Sequence, residues 1–432
     1  MTYGNGVTVS YGYDALNRQT AFYVNDLLKY QYRYDGSSRL SELIDLSLSR
    51  STKYEYDILG RATSEKLIDS LTNTVLSKLS LRYDDSKNRL AGYDVSIGGV
   101  TNAYDYEYNT ADTVRPDMIT GVKRNGATVL SYSYDNLNRL SRRTYGTSTP
   151  YYVDYFYLQG NDYNKTTPLV GTVELRDVML VYHYDAVGNI VSVDNDFIEY
   201  ESYLYDSLNQ LVGYYDYYNG YAYNYSYDNG GNILSVTKNE ETPKTFTYGD
   251  TEWKDLLTAF NGNAITYDNI GNPLTYHDGS TFTWSNGRKL TGIAKGTDNI
   301  SYAYDANGLR TSKTINGVTT EYYWLDGTLY AEKTGTKYTY YHYDEAGMMY
   351  GFTVADGTTT NDYYYVHNLQ GDVIRIVDST GTVVVYYSYD PWGEMLSITG
   401  TLASTLGATN PIRYRGYYYD TVTGLYYCRA RY

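Results

Sequence analysis

The 432-residue sequence has one cysteine, Cys428, so no disulfide can form within the chain, and a lone thiol is neutral about redox compartment. No apolar run approaches the ~20 residues a membrane-spanning helix needs. A basic excess is also missing. Lys plus Arg is 35 against 50 for Asp plus Glu, a net charge of −15, which makes nucleic acid a poor partner despite many aromatic residues. The four histidines, His183, His277, His342 and His367, are scattered without metal-ligand spacing, so neither a metal nor a cofactor is expected. There is no nucleophile elbow, no phosphate-binding glycine loop and no Ser/His/Asp arrangement. Phenylalanine is scarce, at 7, while tyrosine reaches 61. An ordinary core would use far more Phe, Leu and Ile. Tyrosine suits surfaces with one packed side and one wet side, since its hydroxyl needs a partner, and so a thin-walled sheet is expected rather than a solid globule.

What the chain does have is a repeated turn, seen most clearly at Tyr184-Asp185-Ala186-Val187-Gly188-Asn189. Aspartate at the first turn position can bond its own backbone two residues on, and Gly188 stands where a three-residue hairpin loop needs positive φ. The same pattern recurs at Asp57/Gly60, Asp228/Gly231, Asp268/Gly271, Asp305/Gly308, Asp344/Gly347 and Asp390/Gly393. Asparagine replaces glycine at Asp14/Asn17, Asp85/Asn88, Asp135/Asn138 and Asp206/Asn209, as expected of the residues that best tolerate the left-handed region. Each such aspartate is assigned to its own turn rather than to calcium, because a calcium loop gathers several oxygen ligands and these loops usually offer one carboxylate.

The repeat tyrosines Tyr13, Tyr34 and Tyr56 are 21 and 22 residues apart, which fits two strands and two turns per unit. Between turns, Tyr221-Ala222-Tyr223-Asn224-Tyr225 puts rings at every second residue, and so on one face of a strand. Such rings would stack into cross-strand ladders. Helix is scarce, with residues 252–260 the best candidate for a short one. Residues 141–180 stretch one interval to 50 residues and are expected to hold a strand pair carrying Tyr152, Tyr155 and Tyr157 without the standard turn. Residues 396–411 read as a connector into something different. The start, Met1 to Gly6, resembles mid-repeat sequence rather than a signal peptide, so the natural N-terminus is expected elsewhere.

The final block contains Leu369-Gln370-Gly371-Asp372, Asp390-Pro391-Trp392-Gly393, Ile412-Arg413-Tyr414-Arg415-Gly416-Tyr417-Tyr418-Tyr419-Asp420 and Gly424-Leu425-Tyr426-Tyr427-Cys428-Arg429-Ala430-Arg431-Tyr432. It closely resembles the Rhs repeat-associated core of bacterial Rhs/YD-repeat proteins. The tandem tyrosine–aspartate units resemble the YD repeats of that family and of teneurins. The resemblance implies an all-β fold in which tandem β-hairpin YD repeats spiral into a hollow shell, over residues 1–362, with a core plug at residues 363–432. It also implies a structural container that encloses or presents a C-terminal toxin cargo absent from this chain, secreted or at the cell surface, with a secretion or delivery apparatus as a further partner. A glycan-binding adhesion module is the alternative.

The family core resembles a self-cleaving aspartyl protease. Asp420 matches its upstream aspartate, and Arg413 and Arg415 are the nearby candidate partners. The family's cleavage motif, which follows the arginine-tyrosine matching Arg431-Tyr432, is absent, so the chain by itself is expected not to be an enzyme. The Asp390-Pro391-Trp392-Gly393 stretch reads as a turn rather than a cut site. The crowded Arg413, Arg415, Arg429 and Arg431 should draw residues 410–432 onto the acidic shell, with Cys428 buried.

Overall fold

The computed structural model describes residues 1–111, 114–160 and 165–429, and within them nearly all regular structure is β. Consecutive strands pair antiparallel. Leu27–Tyr34 runs beside Leu40–Asp45, and Arg50–Tyr56 beside Ala62–Asp69. Most YD turns are built as their residues dictate; at Asp85/Asn88 the turn is headed one residue earlier, by Asp84, which accepts the N–H of Ser86, while Asp85 pairs with Arg61. Asp185 Oδ1 accepts the N–H of Val187 at 3.0 Å and of Asn189 at 2.8 Å, while Gly188 sits at φ +93°. Asp268 and Asp305 repeat this with Ile270/Asn272 and Asn307/Leu309, and Gly271 and Gly308 lie at φ +82° and +81°. Asn17, Asn138 and Asn209 take the same left-handed position. The register slips by one residue at the tyrosine before the turn, as between Glu55 and Tyr56, which is the expected bulge.

The tyrosine hydroxyl has a specific use. It donates to a backbone carbonyl of the preceding hairpin: Tyr34 to Gln19, Tyr56 to Leu40, Tyr83 to Ala62 and Tyr108 to Leu90, at 2.6–2.9 Å. In the first three of these pairs the acceptor is the fifth residue after the previous turn aspartate, Asp14, Asp35 or Asp57. An arginine four residues after that aspartate completes the joint. Arg39 pairs with Asp35 Oδ2 at 2.7 Å and lies over the next ring, Tyr56, at 4.5 Å. At the opposite end of the hairpins a side-chain amide plays this part: Asn25 accepts the N–H of Thr8, and Asn316 that of Asn299, both at 2.9 Å. Phenylalanine could pack as well as tyrosine but could not make these bonds.

The chain divides into two compact units. One comprises residues 131–145 and 150–280. Its rings adjoin from strand to strand in a ladder, tilted rather than parallel, with Tyr203–Tyr214 at 5.2 Å and Tyr214–Tyr223 at 6.0 Å. The irregular stretch is indeed a strand pair, Tyr151–Gln159 with Thr166–Leu175. Residues 252–260 are not helical. Asp250 caps a tight turn by accepting the N–H of Glu252 and Trp253, and Ala259–Phe260 joins the ladder. One turn's length is too little to repay helix nucleation once a local cap and a strand partner compete.

The other unit comprises residues 1–130, 146–149 and 281–432. Its early and late strands meet through buried polar joints. Tyr104 Oη lies 2.6 Å from His342 Nδ1, and Arg124 pairs with Asp362 at 2.6 Å. Burial, followed by Arg124, holds His342 well below the usual imidazole range, so it stays neutral. After the strand Met395–Thr399, residues 403–407 make one wide helical turn. Tyr418–Asp420 and Leu425–Tyr427 then form a hairpin separate from the wall sheets. Ile412, Tyr414 and Tyr418 pack into the same apolar cluster as the wall residues Tyr341, Phe352, Tyr365 and Val385, so this block is tucked in. Asp390-Pro391-Trp392-Gly393 is a turn, with Gly393 at φ +91° donating to Asp390 O. Cys428 is half-buried rather than buried, because its strand ends at Tyr427. Arg431 lies outside the described residues.

Candidate functional site

The hairpin 418–427 encloses Asp420 completely: it is 0% exposed. The short connection bends at Gly424, φ +76°, whose N–H donates to the Asp420 carbonyl. Val422 N–H reaches Asp420 Oδ1 at 3.3 Å. The other oxygen faces two cations from the wall strand Arg310–Ile315, Lys313 Nζ at 3.1 Å and Arg310 at 3.8 Å. Arg310 is 1% exposed. Its guanidinium lies over the rings of Tyr322, Tyr427 and Tyr418 at 4.4–4.9 Å, an aromatic cage suited to a delocalised cation. Its backbone N–H donates to Tyr427 Oη at 3.0 Å, which fixes the hairpin against the wall.

Beside this pair stands a second carboxyl. Tyr418 Oη donates to Glu332 at 2.7 Å, and burial raises Glu332 above the usual carboxyl range despite that bond and the nearby Lys313. Burial pulls Lys313 down, with Asp420 opposing. Glu332 and Tyr418 line a cavity of about 310 Å³ with Thr339, Phe352, Leu406 and Asn410.

Of the sequence-derived candidates, only Asp420 lies at this centre. Arg413 is turned onto backbone carbonyls, Asn410 O at 3.0 Å and Ala408 O at 2.8 Å, and stacks on Tyr419. Arg415 reaches Gln370 O at 2.7 Å and Asp372 at 3.6 Å. Neither pairs with Asp420; adjacency in sequence put them near, but the wide turn before them directs both toward the connector and the Gly371 turn. The partners are instead Arg310 and Lys313, which sequence reading missed. A signal was present. The fifth residue after a turn aspartate is aliphatic at Leu40, Leu90, Leu140, Ile190, Leu211 and Ile233, and only after Asp305 is it an arginine.

The geometry defines a class: an all-β hairpin-repeat protein whose C-terminal block docks onto its own wall through a buried ion pair. A family model, Teneurin YD-shell, matches residues 162–432. The chain belongs to that family. It is 35% identical over 237 residues to the tRNA3(Ser)-specific nuclease WapA of Bacillus spizizenii and 33% identical over 237 residues to the tRNA nuclease WapA of Bacillus subtilis; each match covers 53% of this chain and 10% of the relative. Human Teneurin-4 is 26% identical over 193 residues, 44% of this chain and 6% of that protein. The chain thus spans about a tenth or less of the length of these curated relatives. Among solved structures it superposes on the Photorhabdus luminescens Tc holotoxin pore with a TM-score of 0.76 at 15% identity, covering 99% of this chain and 24% of that one. For TcdB2-TccC3 the values are 0.74 and 15%, with 98% and 25% covered. These structural likenesses carry the fold.

Proposed function

We propose that this chain is the wall and closing block of a toxin-associated shell, with residues 1–362 as YD-repeat wall and residues 363–432 as the core, which encloses or presents an effector that follows it in a longer polypeptide. The observation that supports this reading is the docking of residues 410–427 onto the wall through Asp420, Arg310 and Lys313, which holds this block against the unit's interior. The nuclease named in one relative and the fold shared with the Tc holotoxin pore support it. The shell would be secreted or presented at the cell surface. The role is structural. Asp420 would supply one carboxyl of a hydrolytic pair only in a longer chain, since such chemistry needs a second carboxyl sharing its water, and here Asp420 is taken up by two cations. The test is a protease-sensitive reporter fused after Tyr432. The reading expects slow cleavage of the reporter in the native fusion and rapid cleavage once the wall is unfolded. Equal rates in both states would overturn it.

A further inference from the structure

Of the four histidines only His342 is buried, at 2% exposed. It lies on the strand Lys337–Tyr343, in the unit that also holds residues 1–130. The strands Val100–Tyr108 and Ile119–Arg124 bring Tyr104 and Arg124 to it from the early wall. Met349–Asp356 and Thr359–His367 bring Tyr350, Thr353, Asp362 and Tyr364 from the late wall. Tyr104 Oη stands 2.6 Å from His342 Nδ1, and Arg124 Nη1 stands 2.5 Å from Nε2. Thr353 Oγ1 is 2.7 Å from the same Nε2, accepts from Arg124 at 3.0 Å and donates to Asp362. Asp362 in turn accepts from Arg124 at 2.6 Å. The ring of Tyr350 lies 5.9 Å from the imidazole, with Tyr364 beside it at 6.4 Å.

An arginine side chain only donates, and it keeps its charge at any working pH. The nitrogen that faces Arg124 must therefore be bare, which assigns the ring's single proton to Nδ1, directed at Tyr104 Oη. Only a neutral ring satisfies both sides. A second proton has one place to go, Nε2, and there it meets the N–H of Arg124 head-on. The charges around the ring agree. Arg124 and Asp362 neutralise each other. Burial holds the phenols of Tyr104, Tyr350 and Tyr364 above their ordinary range, so they stay uncharged. A protonated ring would leave one uncompensated positive charge in an enclosed place.

We propose that His342 and Arg124 form an acid-sensitive latch, which joins the early and late strands of this unit at neutral pH and releases them in acid. The neutral ring bridges Tyr104 and Arg124 to the late wall. Proton uptake breaks the bond from Arg124 and sets two cations against each other, so the joint opens. The direction of the pH dependence follows from burial, which holds the folded imidazole well below its ordinary value of 6.5. Below that pH the opened form holds one proton more than the closed form. The latch is at full strength above about pH 6.5 and weakens as pH falls. It is independent of the shell reading, because it uses neither Asp420 nor a following segment.

The test is native-state hydrogen exchange of the whole chain at about pH 7.5, 6.5 and 5.5, each rate divided by that of an unstructured amide. The opening constants of Val100–Tyr108 and Lys337–Tyr343 should rise about fivefold from pH 6.5 to 5.5, the linkage of one proton. From about pH 7.5 to 6.5 they should rise less than about twofold. Leu211–Asp216, in the other unit, should not follow. His342→Gln keeps a neutral donor and acceptor but takes up no proton, and should lose the acid step. Arg124→Met leaves Nε2 bare beside Asp362, so there the step should vanish or reverse, and this variant carries the test if His342→Gln does not fold. Equal opening constants at about pH 7.5 and 5.5 in the natural chain would overturn the latch. So would the same acid step in Leu211–Asp216, or a full step retained in either variant.

Discussion

Replacing Tyr389 by phenylalanine removes one oxygen and nothing else from the joint between two hairpins. The hydroxyl donates to Val373 O at 2.7 Å, with both residues buried. Burial pushes the Tyr389 phenol well above its ordinary value, so it remains a neutral donor at any working pH. The ring keeps its contacts with Tyr387 and Tyr414, so no cavity forms. The cost is then the lost bond and the desolvated carbonyl, about 1–3 kcal/mol. The same change at Tyr34, whose acceptor Gln19 O is half-buried and open to water, should cost only about 0.5–1 kcal/mol. Because a hairpin array is cooperative over near neighbours, the measurement should be local. Native-state hydrogen exchange of the strand Val373–Asp378 should speed up in Tyr389→Phe, and exchange in Gln19–Val24 should respond more weakly to Tyr34→Phe. If neither variant changed exchange, or if the half-buried site cost more, the hydroxyl-to-carbonyl bond would not be what joins the repeats.

Gly188→Val should destabilise its hairpin by roughly 1–3 kcal/mol purely through backbone strain, since φ is +93° and a Cβ would meet nothing within 4 Å; Val187→Ala nearby should be close to neutral, and urea melts of the two variants compare them. Asp420→Asn strands Lys313 and Arg310 in the interior and should cost about 3–5 kcal/mol, part of it regained in Asp420→Asn/Lys313→Met; equal melts for the single and double variants would contradict the pairing. Glu65 is raised from 4.5 to about 7 in the folded chain, chiefly by burial, so the folded state holds the extra proton. Its contribution is full below about 4.5 and is lost as pH rises through about 7, and Glu65→Gln should flatten that part of the stability–pH curve.

Much of the architecture could be read directly because it is made from contacts close in sequence. An aspartate that bonds the N–H groups two and four residues on carries its whole turn within five residues, so Asp185-to-Gly188 grammar locates the hairpins without knowledge of anything else. Period-two tyrosines likewise announce the ladder at 221–225. Contacts 16 to 22 residues apart were half-legible. The arginines at 18, 39, 61 and 139 stand visibly four places after a turn aspartate, yet only the fold shows them lying over the next repeat's tyrosine. Residues 252–260 misled because charge and leucine spacing mimic an amphipathic turn, while the cap at Asp250 acts locally in the other direction.

The candidate site belongs to the least readable kind, since Asp420 meets Lys313 and Arg310 across more than a hundred residues. No periodicity encodes such a pair. What the sequence does contain is a departure: after the turn Asp305 to Gly308 the fifth residue is Arg310, where six other turns carry leucine or isoleucine. It sends a cation inward to the docked hairpin. In a repeat protein the wall is specified by what every unit shares, so function has to be sought where one unit stops obeying the pattern. By that argument the turn at Asp305, rather than the tyrosine-rich strands, is where the wall is fitted to the docked hairpin, through Arg310.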